Sequence, residues 1–183
     1  PEGEETQIRY KSTSSQGKKK TGSSKVNAGA SKEQLLAARA WLLSAEDYEV
    51  SANGMNITAF SKEYISELSV LQQSLRVVQA GVTLAEVKGK DLIPNHALAM
   101  STVQVSDAFP REEISYEQAI AYLRKEAIVL SGTAPRGYVL LTYKDVPLGF
   151  VKNIGNRANN LYPQEWRIRS GYLPDEILML LKS

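Results

Sequence analysis

Apolar residues recur at helical spacing in four stretches of the chain. Ser31 and Gln34 form a capping-box pattern, and a broad apolar face follows over residues 35–43. Further helices are predicted to begin at Ser61, after Pro94–Asn95, and at Glu112–Glu113, where two acidic residues suit a first helical turn. The buried stripes expected for the second and last helices are Ile65, Leu68, Leu71 and Leu75, and Tyr116, Ile120 and Leu123.

Segments typical of strands lie between these helices. Asn53-Gly54 predicts a hairpin of residues 48–52 and 56–60, and residues 76–80 and 128–130 have the composition of short strands. A longer hairpin is predicted at 138–143 and 146–151. Pro147 cannot donate a backbone hydrogen bond, so its strand is expected to lie at a sheet edge or to be bulged there.

The longer hairpin is followed by a basic, amide-rich segment. Residues 152–160 contain two cations, four asparagines and a glycine, and Tyr162-Pro163 ends the segment. Binding surfaces are often built from such a loop on a rigid hairpin. A polar connector without a binding role explains the pattern equally well.

The charge is unevenly distributed, although the net charge is only +2 at pH 7. Residues 131–169 contain six Lys or Arg against two acidic residues, whereas residues 31–130 contain nine against thirteen. A positive segment on an acidic body suggests a polyanionic partner, although cationic loops also occur on proteins that bind no nucleic acid. Residues 1–30 are expected to be a flexible basic linker, because residues 11–24 contain no large apolar side chain.

The residue inventory excludes several kinds of catalysis. The chain has no cysteine and one histidine, so it has no thiolate nucleophile and little basis for a zinc site or a histidine acid/base pair. It contains no glycine-rich phosphate loop and no nucleophile-elbow motif. No apolar run approaches the roughly 20 residues that span a bilayer, so no membrane partner is expected. The absence of cysteine is compatible with a reducing cytoplasm, which is the expected location. An unrelated small enzyme is the least favoured interpretation.

Two stretches in the same order, residues 81–100 and 137–166, resemble a known family. They are similar to the C-terminal region of bacterial RNA 5-methylcytosine methyltransferases of the Nop/Sun family, and the similarity covers roughly residues 31–169. The positions that carry it are Gly81, Leu84, Lys88, Pro94, residues 96–99, 119–123 and 137–140, Pro147, Leu148, Gly149, Lys152, Asn160, Tyr162 and Pro163.

The resemblance implies an α+β fold in two parts. A small αβ subdomain is expected at residues 31–94, and a PUA-like mixed β-barrel with flanking helices, which binds RNA in the family, at 95–169. Residues 170–183 are expected to form a helical tail, because Ile177, Leu178, Leu180 and Leu181 suit an amphipathic helix. In such enzymes an upstream domain binds S-adenosylmethionine and supplies a cysteine nucleophile. The chain would therefore be a non-catalytic module without a cofactor of its own.

The resemblance also implies a function. The module is expected to bind structured RNA, most simply ribosomal RNA, and to deliver a cytosine to the upstream methyltransferase domain. Expected phosphate contacts are Lys152, Arg157, Arg167 and Arg169; expected contacts to sugars or base edges are Asn153, Asn159 and Asn160; and Tyr162 or Trp166 would stack on a base. Packing roles for the two aromatic residues and a solvated rim for the cations are the alternatives.

A competing hypothesis gives the module no direct role in RNA binding. In that case it packs against its own methyltransferase domain or another protein. The apolar tail and the acidic residues of 31–130, which repel phosphate, favour this hypothesis.

Overall fold

The computed structural model describes residues 29–170. Nearly all of the predicted linker and the predicted helical tail lie outside this range. Two four-stranded sheets and four short helices make up the described part, so the expected α+β class is confirmed. No helix within it has the length and hydropathy needed to span a membrane.

The first sheet is an antiparallel meander. Its strands, in spatial order, are β1 (Tyr48–Asn53), β2 (Asn56–Ser61), β3 (Val82–Lys88) and β4 (Asp91–Pro94). The helix α1 (Lys32–Arg39) precedes it, and Ser31 and Gln34 make the predicted capping box. The Asn53-Gly54 hairpin is also confirmed.

The strand predicted at residues 76–80 is wrong, because these residues have no regular structure and β3 begins only after Gly81. Gly81 has φ +73°, and a Cβ at this position would lie 2.1 Å from the carbonyl oxygen of Ala59. The close approach of β2 at this point therefore requires a glycine.

The second helix, α2 (Ile65–Ser74), forms where it was predicted but does not bury the expected stripe. No residue of α2 is buried, and Leu71 and the C-cap Leu75 are 48% and 62% exposed. Val70 on the same helix is 63% exposed. The apolar residues of α2 thus form a face that no other described part of the chain covers.

The second sheet contains β5 (Arg111–Glu113), β6 (Gly137–Tyr143), β7 (Val146–Asn153) and β8 (Ala158–Asn160), in that order. β5 pairs parallel to β6, and the other pairs are antiparallel. Helix α3 (His96–Ala99) precedes the sheet, and α4 (Tyr116–Leu123) connects β5 to β6. The sheet is open among the described residues, so the barrel remains a prediction.

The helix predicted to begin at Glu112-Glu113 begins later, because both residues lie in β5 and Ser115 is the N-cap of α4. The Glu113 carboxylate accepts hydrogen bonds from the Thr142 hydroxyl, at 2.6 Å, and from the backbone N–H of Lys144. The Thr142 bond is the main cause that lowers the pKa of Glu113. This acidic residue thus supports the β6–β7 turn instead of a helix terminus.

Two details of the second sheet follow from backbone chemistry. Lys144 and Asp145 form the predicted turn with φ of 51° and 63°, as a two-residue hairpin of type I′ requires.

Leu141 pairs with Gly149 and Thr142 with Pro147, so the ladder is bulged beside the proline. Of the two alternatives for Pro147, the bulge is confirmed, since β7 is an interior strand.

The second sheet is covered on both faces. Leu140 and Phe150 pack into a core with residues of the first sheet and α3, whereas Val139, Leu141 and Val151 pack into another with α4. Burial on both faces explains why β6 contains a continuous apolar run instead of an alternating one. Since α3 contacts both β3 and β7, the division into subdomains at residue 94 remains a prediction.

The stripe predicted for α4 is displaced around the helix. Ala119 and Tyr122 are the buried residues, whereas Tyr116, Ile120 and Leu123 are half-buried. The Tyr122 hydroxyl donates to the Phe150 carbonyl at 3.2 Å and would lie 2.2 Å from a Cβ at position 149. Gly149, with φ +138°, therefore lets α4 approach β7.

Replacing Gly149 with alanine should lower the free energy of unfolding by about 2–4 kcal/mol, because strain at positive φ adds to the overlap with Tyr122. Urea denaturation measures this loss. Gly132→Ala is the control, since no heavy atom lies within 4 Å of its added Cβ; its effect should stay within about 0.5 kcal/mol. Equal effects of the two substitutions would contradict the assignment.

Candidate nucleic-acid interface

Lys152 lies on β7 and is already paired. Its ammonium donates to the Asp91 carboxylate at 2.8 Å and lies 5.3 Å from the centre of the Tyr138 ring. The bond to Asp91 raises the pKa of Lys152. Asp91 begins β4, so this ion pair joins the two sheets. Lys152 could contact a phosphate only by sharing its charge with Asp91 or leaving it.

Two of the three predicted asparagines are engaged within the protein. Asn153 is 7% exposed, donates to the carbonyls of Ala134 and Pro135, and accepts from the N–H of Gly155. Asn160 donates to the carbonyls of Tyr122 and Glu126. These amides fix the backbone on either side of the β7–β8 turn, which leaves them few hydrogen-bonding groups for a ligand.

Arg157 and Asn159 are exposed at the β7–β8 turn. Asn159 pairs with Lys152 across the two strands, so the two side chains share a face of the sheet. Arg136 lies beside the same turn, because its guanidinium would be 2.9 Å from a Cβ at Gly155. The turn therefore presents cations and an amide to solvent.

Aromatic rings form a connected series that begins in the core and ends at the surface. Tyr122 contacts Tyr162, Tyr162 contacts His96, and His96 contacts Trp166, with ring centroids 5.3, 5.1 and 5.3 Å apart. All three contacts are edge-to-face, a favoured geometry for aromatic pairs. Tyr162 is half-buried, but Trp166 is 58% exposed. Of the two predicted stacking residues, Trp166 is the accessible one.

His96 holds the middle of this series as a neutral ring. Burial lowers the pKa of His96, and its Nδ1 atom is buried without a hydrogen-bond partner among the described residues. Nδ1 would be 2.8 Å from a Cβ at Gly149, so the same glycine makes room for both His96 and Tyr122. This environment suits a packing role for His96 and not a phosphate contact.

Arg167 and Arg169 lie apart from the β7–β8 turn. With Arg124 and Glu126 they line a cleft of about 340 Å³ beside the end of α4. The segment is held there because the N–H of Ile168 donates to the Leu123 carbonyl at 2.9 Å. The Nε atom of Arg124 is buried without a partner within residues 29–170. Three guanidinium groups at one cleft favour an anion.

Lys125 and Arg124 are site residues that the sequence did not single out. The bonds from the N–H groups of Lys125 and Glu126 to the carbonyls of Tyr122 and Ala121 form a Schellman motif, with Lys125 at φ +62°. Glycine is favoured at that position, so a lysine there is a local signal that its side chain is used. The Lys125 ammonium donates to the Tyr162 carbonyl.

The second half of the described chain is similar to a known protein domain. Residues 109–168 match the family model described as the Methyltransferase RsmF PUA domain. These residues are therefore similar to the PUA domain that this model describes. The range includes the β7–β8 turn, Arg124, Trp166 and Arg167. Arg169 follows it, and His96 and the first sheet precede it.

Curated relatives support the same assignment. Proteins named ribosomal RNA small subunit methyltransferase F from Klebsiella pneumoniae (strain 342), Shewanella woodyi and Citrobacter koseri are 30%, 35% and 29% identical over 99, 92 and 110 residues. These alignments cover 54%, 50% and 59% of this chain but only 20%, 19% and 22% of the relatives. The chain thus spans about a fifth of their length, and the resemblance to the C-terminal part of RNA methyltransferases is confirmed.

His96, which packs against Tyr162 and Trp166, provides a direct test of its environment. Because burial disfavours the charged ring, the pKa of His96 should lie below its ordinary 6.5 in the native state and near 6.5 in urea. NMR titration is unambiguous, since the chain has one histidine. Below pH 6.5 the unfolded chain then binds a proton that the native chain does not.

The unfolding free energy should therefore fall as the pH drops from 6.5 towards the native pKa of His96. Thermal denaturation of the chain and of His96→Gln at pH 7.5 and 5.5 measures this dependence. The substitution should reduce it. A native titration midpoint at or above 6.5 would show that the ring is not desolvated.

Proposed function

We propose that this chain is the RNA-binding C-terminal module of an rRNA cytosine-5 methyltransferase that uses S-adenosylmethionine. The main support is the segment that follows β8, in which exposed Trp166 precedes Arg167 in the chain and Arg167 and Arg169 line a cleft with Arg124. A stacking ring next to clustered guanidinium groups suits an unpaired nucleotide, because the ring takes a base and the guanidiniums take its phosphates. The family match and the names of the relatives favour ribosomal RNA as the partner.

The chemistry would be divided between this module and the parent protein. Methylation at carbon 5 of cytosine needs a thiolate nucleophile, and this chain has no cysteine. The upstream methyltransferase domain would therefore bind S-adenosylmethionine and carry out the reaction in the cytoplasm. The module would hold the structured RNA so that a cytosine reaches that domain. Its proposed role is binding and positioning.

The predicted contact residues take different roles in this proposal. Arg157, Arg167 and Arg169 are exposed phosphate contacts, Asn159 is an exposed amide, and Trp166 is the stacking residue. Lys152 contributes charge from within its ion pair. Asn153, Asn160 and Tyr162 hold the site in place and do not contact RNA in this proposal, because their hydrogen bonds and ring contacts are made within the protein.

A PUA-like barrel at residues 95–169 is part of the same proposal. Its support is the family match together with a bridge from Ile128 to Ala158, which brings another segment against β8 at one edge of the sheet. At the opposite edge β5 pairs parallel to β6. The small αβ subdomain at 31–94 would pack against this barrel through α3.

Salt dependence of RNA binding tests the role of the arginines. If Lys152, Arg157, Arg167 and Arg169 all neutralise phosphates, the slope of log affinity against log salt should be roughly −3 to −4. Arg167→Ala with Arg169→Ala should reduce its magnitude by roughly 1.4 to 1.8, since each contact contributes about 0.7 to 0.9. Filter binding to a structured RNA hairpin measures both values.

The matched control removes two exposed cations that lie outside the arginine cleft. Lys32→Ala with Arg76→Ala changes the net charge by the same amount. It should leave the slope nearly unchanged. An affinity that does not vary with salt, or equal effects of the two double variants, would overturn the proposed phosphate contacts.

The exposed face of α2 favours a second candidate, in which the module packs against its own methyltransferase domain. Val70 and Leu71 are exposed on a helix that buries no residue. Replacing both with serine should change the stability of this chain by no more than about 0.5 kcal/mol. In the full-length parent, the same change should increase proteolysis between the domains if α2 is the contact.

Gln73→Ser provides the control on the same helix, since Gln73 is exposed and polar. Limited proteolysis of the parent protein compares the variants. Identical cleavage rates for the parent and the Val70/Leu71 variant would exclude this packing role. Neither change should affect the salt dependence of RNA binding if the two functions are separate.

A further inference from the structure

A second cleft, of about 520 Å³, lies where the first sheet meets the segment that follows β8. Asn56, Glu86 and Ile93 are directly opposed across β2, β3 and β4, so they form a row along one wall. Glu165 and Trp166, which follow β8 in the chain, also line the cleft. The volume is in the range of small-ligand sites. Residues from both halves of the described chain line the cleft, so neither half forms it alone.

An aromatic ring is available to a ligand in this cleft. Trp166 is 58% exposed, and within the described residues the one aromatic ring that it contacts is His96, edge-to-face at 5.3 Å. His96 is in turn packed against Tyr162, so the ring that supports the indole is itself held in place. A planar ring that enters the cleft can stack on Trp166, and nucleobases stack well on tryptophan.

The charges in the cleft disfavour a phosphate. Glu86 and Glu165 are exposed there, and the ammonium of Lys125 already donates to the Tyr162 carbonyl. The histidine in the wall is neutral. The two clefts are lined by neighbouring residues of the chain. Arg124 and Arg167 line the arginine cleft, whereas Lys125 and Trp166, which adjoin them in sequence, line this one. A nucleotide can therefore place its base in one cleft and its phosphate in the other.

On the basis of the proposed RNA binding, we infer that the cleft takes one unpaired nucleobase with an exocyclic amino group. The base stacks on Trp166, and its amino group donates to the carboxylate of Glu86 or Glu165. Carboxylates accept hydrogen bonds from the N4 amino group of cytosine. Uracil presents a carbonyl oxygen at the same position, which a carboxylate repels. The cleft therefore favours cytosine over uracil.

Two isosteric RNA hexamers, all-cytidine and all-uridine, test this preference on the whole chain. Fluorescence anisotropy with end-labelled hexamers should give at least about fivefold tighter binding of the cytidine hexamer, because a good contact to a base edge discriminates by about that factor or more. Trp166→Ala should weaken binding of this hexamer by at least about fivefold, whereas Trp166→Phe should retain most of it. Circular dichroism checks that each variant is folded.

The carboxylates are tested by a matched pair of double variants. Glu86→Gln with Glu165→Gln should abolish the preference for cytidine without weakening binding of the uridine hexamer. Glu49→Gln with Glu63→Gln removes two exposed carboxylates outside the cleft and should preserve the preference. A preference that survives Glu86→Gln with Glu165→Gln would overturn the role of the carboxylates.

Failure of the inference can be told apart from failure of the proposed function. Equal affinities for the two hexamers, with salt-dependent binding of a structured RNA hairpin intact, would overturn the base site alone. Absence of binding to both hexamers and to the hairpin would overturn the RNA-binding function as well. The predicted pattern is hairpin binding together with a cytidine preference that depends on the cleft.

Discussion

The structure depends on the burial of β7 between two layers, and Gly149 is the point where this burial is tightest. A single Cβ there would overlap the Tyr122 hydroxyl from α4 and crowd Nδ1 of His96 from α3. Because glycine leaves this space empty, helices from both sides reach the same strand. The core of the first sheet and the core around α4 are thereby held against one interior hairpin.

The candidate site follows from this close packing. The ring contacts lead from buried Tyr122 through Tyr162 and His96 to exposed Trp166. Asn153 and Asn160 hold the adjoining backbone through their amides. A surface ring supported in this way loses little conformational freedom when a base stacks on it, which is the advantage of a preorganised site. Core residues thus determine the geometry of the residues that would contact RNA.

Local signals predicted the elements whose cause is local. Capping boxes located the start of α1, and turn residues located the hairpins at Gly54 and at Lys144-Asp145. The errors concern partners distant in sequence. Glu112 and Glu113 look like a helix start, but β5 is a three-residue strand whose identity comes from parallel pairing with β6, nearly 30 positions away. Helical spacing likewise could not reveal that the apolar face of α2 is uncovered. The sequence singled out Trp166, Arg167 and Arg169 as candidates, whereas Glu86 and Lys125 join the candidate site only through the fold.

The uneven charge along the chain has a structural counterpart at the boundary between the two halves. Lys152 of the positive segment pairs with Asp91 of the acidic body, which joins the sheets, while Glu86 of that body lines the same cleft as Trp166. Acidic residues at this boundary repel a phosphate backbone and leave the arginines of the other cleft to attract it. A bound strand would then have one favoured orientation, with phosphates along Arg124, Arg167 and Arg169 and a base directed into the cleft. If the module binds RNA as proposed, charge that looks unfavourable for binding along the sequence would, in the fold, orient the bound strand.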